Sequence, residues 1–186
     1  MKDQGSVVMF KHVNKFYDRG AVKALNNATF SVGRGEVVLV IGENGAGKTT
    51  ILKLISGLVF PTNGTVATFG GNIEQNKSKL GILFESNHIY PNLSGFYNII
   101  LLTGKEVTID KVYSVAKDFG LSRNLLLKKT KDLSYGQTRR LLLTTVVLRN
   151  PDLFLLDEPF NGLDYNAIRA LLSLILNGRK TVKLLS

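Results

Sequence analysis

The stretch that most constrains this chain is residues 36–56. A nearly continuous apolar run, Glu36-Val-Val-Leu-Val-Ile41, passes through a cluster of glycines into a segment of helical periodicity. Unbroken β-branched and aliphatic residues predict a strand buried on both faces, as in a parallel sheet. The turn reads Gly42-Glu43-Asn44-Gly45-Ala46-Gly47-Lys48-Thr49-Thr50. It fits G-x-x-x-x-G-K-[ST], set after a strand and before a helix as that motif requires. Glycines let the main chain wrap closely, so that successive N–H groups converge on a phosphate. The N-terminus of the helix over residues 48–56 adds positive potential. Lys48 is then suited to the β- and γ-phosphates of a nucleotide, and Thr49 to Mg²⁺.

A second pattern lies about 110 residues downstream of the loop, Leu153-Phe-Leu-Leu-Asp157-Glu158-Pro159. A buried strand that ends abruptly in two acids places carboxylates where α/β sheets bind ligands. Taken alone it also reads as a strand followed by an acidic turn. Paired with the phosphate loop, Asp157 becomes a Mg²⁺ holder acting partly through water, and Glu158 the base that orients an attacking water.

A third pattern is Leu133-Ser134-Tyr135-Gly136-Gln137. Its plainest reading is an N-cap, with Ser134 starting a helix over residues 135–148. With the other two motifs it resembles the signature Leu-Ser-Gly-Gly-Gln of the ATP-binding subunits of ATP-binding cassette (ABC) transporters. The resemblance covers nearly the whole chain. It implies a P-loop (RecA-like) α/β core with an N-terminal antiparallel β subdomain and an inserted helical subdomain. Residues 1–85 and 150–186 would form the nucleotide-binding core, and residues 86–149 the helical part.

The same resemblance implies the remaining assignments. Tyr17 would stack on adenine, although by itself it reads as a core or strand-edge aromatic. Asp164, in Asn161-Gly-Leu-Asp164, would belong to the D-loop. Glu85 stands where the family's Q-loop glutamine falls and would assist catalysis and the metal. ATP and Mg²⁺ are the implied ligands. Two copies, alike or different, would pack head to tail, so that ATP lies between the phosphate loop of one and residues 133–137 of the other. An integral membrane permease would be a separate partner, and the chain a cytoplasmic subunit peripheral on the inner face of the membrane. The family's switch histidine would come next after Ser186, so the C-terminus reads as truncated relative to the family. His12 and His88 fall elsewhere in the pattern and read as ordinary histidines.

The other strand expectations are residues 7–13, 28–32, 65–69, 80–84 and 181–185. The other helices are residues 94–102, 109–119, 123–128 and 167–176. No apolar run approaches the roughly 20 residues of a membrane helix. There is no cysteine among the 186 residues, which excludes disulfides, thiolate metal sites and cysteine nucleophiles. The formal charge of +10 favours anionic partners. The basic stretch from Arg123 to Arg149, with Lys128, Lys129, Lys131, Arg139 and Arg140, reads either as a solvated face or as one turned toward the permease or anionic lipid. Two other functions fit the motifs: an ABC-type ATPase acting on nucleic acid or ribosomes, and a nucleotide-binding fragment poor in hydrolysis. The first is disfavoured because there is one compact cassette without insertions, so no nucleic acid is expected as partner.

Overall fold

The computed structural model describes residues 5–84, 89–104, 106–177 and 182–185. Glu85 and His88, with the roles expected of them, lie outside the described residues, as do Thr181 and Ser186. The chain divides into two compact units. The first comprises Met1–Ile82, Pro151–Asp157 and Gly178–Ser186, and the second Leu83–Asn150 and Glu158–Asn177. Residues 158–177, read from the sequence with the core, thus make their contacts within the helical unit.

The first unit opens with a long antiparallel pair, β1 (Ser6–Tyr17) and β2 (Val22–Gly33). With β4 (Asn63–Thr68) they form a sheet in the order β2-β1-β4. Val7, Val8, Phe10 and Val13 turn inward from β1, and the Phe10 ring stacks on Phe30 of β2 at 4.4 Å. The pair is longer than the alternation predicts because register shifts flank Phe10, Val13 and Lys15. Each shift breaks the period-2 pattern without ending the ladder.

The second sheet has the order β3-β7-β6-β5, from β3 (Val37–Leu39), β7 (Val182–Leu185), β6 (Leu153–Leu156) and β5 (Leu80–Leu83). β3 pairs with β7 in parallel, and β7 with β6 in parallel. All four residues of β6 are buried, as a strand flanked on both sides should be. The two-sided burial expected of residues 36–41 is corrected. Among the described strands β3 lies at one edge of this sheet, and Val37, Leu39 and Ile41 are 47%, 61% and 84% exposed. An edge strand has a neighbour on one side only, so an apolar run there does not imply cover. Helix α1 (Lys48–Ile55) leaves the sheet through the glycine loop and buries Leu52, Leu54 and Ile55.

The second unit is helical. It contains α2 (Gly95–Thr103), α3 (Ile109–Ala116), α4 (Arg123–Leu127), α5 (Tyr135–Leu148) and α6 (Tyr165–Asn177). Each of the first four starts on a Ser or Thr cap: Ser94, Thr108, Ser122 and Ser134 accept from the main-chain N–H three residues on. Such a cap contributes about 1 kcal/mol. Ile99, Val112, Ala116, Leu121, Leu126 and Leu141 form the core between them. Among the described residues, no helix is long and apolar enough to cross a membrane.

Candidate active site

The phosphate loop is held by its last glycine. Gly47 has φ +91°, and a Cβ there would lie 2.3 Å from the carbonyl oxygen of Ala24 in β2. Only a residue without a side chain fits, because both the backbone region and the space are denied to any other. Gly45, at φ +87°, makes the preceding bend. Residues 42–46 are exposed, whereas Gly47 is buried. Replacing Gly47 with alanine should destabilise the chain by about 2–4 kcal/mol through strain and clash together. Thermal melting checks this, and an unchanged midpoint would mean the loop does not rest on Ala24.

The helix that follows has no side-chain cap at Gly47. Its first N–H groups therefore receive no side-chain acceptor from the cap position, and open N–H groups at a helix N-terminus suit an anion. The Lys48 ammonium folds over the loop and donates to the carbonyls of Gly42 (2.8 Å) and Glu43 (3.0 Å). Thr49 points away from the loop, toward the end of β6. Its hydroxyl donates to Asp157 Oδ2 at 2.9 Å, across 108 residues of sequence. Asp157 itself is 4% exposed. The sequence patterns around the loop and the strand-end acid thus meet in one place.

A hydroxyl beside a buried carboxylate is a set of hard oxygen donors, which fits Mg²⁺. No group of three or more His, Cys, Asp or Glu residues gathers among the described residues. Mg²⁺ prefers such a sparse protein contribution, taking one or two protein ligands and completing its shell with water and phosphate oxygens.

Tyr17 ends β1 and pairs with Val22, two residues before the Ala24 carbonyl that abuts Gly47. At ~3.3 Å per residue that is about 7 Å along the strand. The ring is half-buried, with the Lys15 ammonium over it at 4.7 Å.

In the helical unit, Ser134 caps α5 in a full capping box. Its hydroxyl accepts from Gln137 N (3.2 Å), and Gln137 Oε1 accepts from Ser134 N (2.9 Å). Ser134 and Tyr135 remain exposed, and Leu133 and Gly136 are half-buried. The capping role is therefore real, and it leaves the helix tip open to an outside group. Gly136 lies against Gly162, where a Cβ would stand 2.5 Å from the Gly162 carbonyl oxygen. Asp164 accepts from Ala167 N at the start of α6 (2.9 Å) and pairs with Arg140 (2.9 Å). Arg140 also donates to the Gly136 carbonyl.

Glu158 follows Asp157 directly and takes φ +47°. Its carboxylate accepts from Asn161 Nδ2 at 3.3 Å. Its carbonyl accepts from Arg139. The sequence places Arg139 and Arg140 in a basic stretch expected at the surface. That is corrected for Arg139, which is 2% exposed, and the side chain of Arg140 is 16% exposed. The signal was present in the helix period. Leu142, Leu143 and Val146 stand three, four and seven residues after Arg139, which puts Arg139 on the buried stripe of α5.

A family model for ABC transporters matches residues 25–161. The chain belongs to the ABC transporter family. Among its relatives is the bacitracin transport ATP-binding protein BcrA of Enterococcus faecalis, 35% identical over 176 residues, 90% of this chain and 56% of that protein. Another is the lantibiotic transport ATP-binding protein SrtF of Streptococcus pyogenes, 32% identical over 91% of this chain and 73% of that protein. The glucose import ATP-binding protein GlcV of Saccharolobus solfataricus is 35% identical over 84% of this chain and 48% of its own. The chain spans about half the length of the curated relatives it matches first.

Solved structures agree on the fold. The ATP-binding subunit of an ABC transporter superposes with a TM-score of 0.86 at 27% identity, over 97% of this chain and 79% of that one. The ATP-binding cassette MJ0796, described as a dimer in a post-hydrolysis state bound to ADP and Pi, superposes with a TM-score of 0.82 at 26% identity, over 96% and 87%. The family's fold is therefore the fold of this chain, a P-loop core with an antiparallel β part and a helical part.

Proposed function

We propose that this chain binds and hydrolyses ATP to energise transport by a separate membrane-spanning polypeptide. The observation that carries this reading is the 2.9 Å bond between Thr49 and Asp157, which joins the phosphate loop to the strand-end carboxylate. The transport proteins among the relatives support the cellular role, and so does the absence of a membrane-length helix among the described residues. On this reading the subunit works at the cytoplasmic face of the membrane.

The chain's own residues divide the work. The main-chain N–H groups of residues 45–50 receive the phosphates, Gly42 through Ala46 shape the turn, and Lys48 neutralises charge on the β- and γ-phosphates. Thr49 and Asp157 hold Mg²⁺, which when bound shields phosphate charge and fixes the phosphate geometry. Tyr17 lies under the adenine. Glu158 accepts a proton from the attacking water, with Glu85 assisting from its place in the sequence. Ser134 and Gly136 of a second copy, or of a different ABC subunit, close over the γ-phosphate through the open tip of α5, and Asp164 anchors that tip through Arg140. Removal of the γ-phosphate takes away the charge that joins the two molecules, so the dimer opens and the permease follows.

Calorimetric titration tests the core of this. ATP should bind at least tenfold more tightly with Mg²⁺ than with EDTA. Asp157→Asn should abolish that difference while leaving residual ATP binding. A wild-type chain that gives no heat with Mg-ATP would end the proposal. Turnover should rise when the chain is assayed on membranes holding its permease.

A further inference from the structure

Arg139 occupies a place where the helix period calls for an aliphatic residue, and it is the largest fully buried side chain of the described molecule. Burying a guanidinium is costly unless hydrogen bonds hold it. Here it spans two separate stretches of chain. One nitrogen donates to the carbonyl of Phe84 at 2.7 Å, 55 residues away, and another to the carbonyl of Glu158 at 2.9 Å, 19 residues away. The planar fork of arginine suits two acceptors held in fixed directions.

The second acceptor belongs to a residue whose backbone is disfavoured on two counts. Glu158 has φ +47°, a region that side chains with a Cβ resist. It also precedes Pro159, which pushes the residue before it toward extended conformations. Something outside the local chain must hold such a residue. Two donors meet its carbonyl: Arg139 Nη2 and the N–H of Asn161 at 3.2 Å. Asn161 also reaches the carboxylate, so the posture of the main chain sets where the acid group points.

We infer that Arg139 is a positioning residue for hydrolysis: its buried fork fixes the main chain of Glu158 and through it the direction of the catalytic carboxylate. This rests on Glu158 being the base of the proposed ATPase. Because α5 also carries Ser134 at its tip, one rigid helix joins the outside phosphate contact to the base.

The test compares Arg139→Lys and Arg139→Met with wild type in the full chain. Lysine keeps the charge and one hydrogen bond but not the fork. The kcat for ATP should fall roughly 10–100-fold in Arg139→Met and less in Arg139→Lys, with KM and ATP affinity within about twofold of wild type. Amide exchange should quicken at residues 158–162 while staying unchanged across residues 42–50. Arg149→Met is the control, since Arg149, the C-cap residue of the same helix, donates to the Leu102 carbonyl at 3.0 Å. It should lower the melting point without changing kcat. The inference is overturned if Arg139→Lys keeps wild-type kcat and exchange. It is equally overturned if both Arg139 variants lose activity only in proportion to folded protein. A wild-type chain that hydrolyses nothing would count against the proposed function alone. The exchange measurement would then decide the role of Arg139: quickening confined to residues 158–162 supports it, and no change rejects it.

Discussion

Lys48→Ala should bind Mg-ATP at least 100-fold more weakly than wild type. The Lys48 ammonium lies within 2.8 and 3.0 Å of the carbonyls of Gly42 and Glu43, so its charge is fixed over the loop. A hydrogen bond to a charged group contributes about 1.5–3 kcal/mol, and a lysine set between two phosphates makes two of them. The sum of roughly 3–6 kcal/mol corresponds to a factor of about 10²–10⁴ in Kd. Part of the effect is indirect, because the same ammonium ties the two ends of the turn and alanine frees it. Lys48→Arg separates the parts, since it keeps charge but overfills the turn and should bind at an intermediate level. Titration with a fluorescent ATP analogue reads all three proteins. Equal affinity in wild type and Lys48→Ala would place the phosphates elsewhere.

The elements of the site that were legible in the sequence are those whose signal is local. The glycine turn must follow a strand and precede a helix, and the acids must end a buried strand, so both were readable within about ten residues. Their meeting was not local. The bond from Thr49 to Asp157 crosses 108 residues, and it follows from the pair of motifs only because phosphate loops are known to need a metal-holding acid. Ser134 was readable as a cap because Gln137 stands at the third position of its helix, and the capping box is present.

Other features were hidden for physical reasons. Position in the sheet is a property of strand order, so the apolar run at residues 36–41 does not reveal that β3 lies at an edge. The full length of β1 and β2 was hidden by bulges, where polar residues such as His12 and Asn27 interrupt the alternation. His12 Nδ1 and Asn27 Oδ1 lie 3.0 Å apart, which accounts for that histidine locally. Arg139 is hidden in the sequence because a charged residue ordinarily marks the surface. Its place on the buried stripe was the better guide, since burial of a cation needs only acceptors, and main-chain carbonyls leave no trace in the sequence.

Glu158→Gln should reduce ATP turnover by roughly 10²–10⁴-fold while leaving ATP affinity within about threefold, and it should trap a dimer. The amide is nearly the size of the carboxylate and can still take part in hydrogen bonding with Asn161. The change therefore removes basicity and charge with little change of shape. General-base catalysis contributes roughly 10²–10⁴ in rate, which sets the scale of the loss. The dimer follows from the same substitution. If the γ-phosphate is the charge that joins Lys48 and Thr49 of one molecule to the α5 tip of the next, a protein that cannot remove it stays joined. Ser134 and Tyr135 are exposed and available for that contact. Size-exclusion chromatography with ATP should show the shift to a dimer in Glu158→Gln, and adding Ser134→Arg to the same chain should abolish it by crowding the tip. A Glu158→Gln chain that hydrolyses ATP at the wild-type rate would remove Glu158 from the mechanism. One that binds ATP, does not turn it over and stays monomeric would keep the base and reject the shared site.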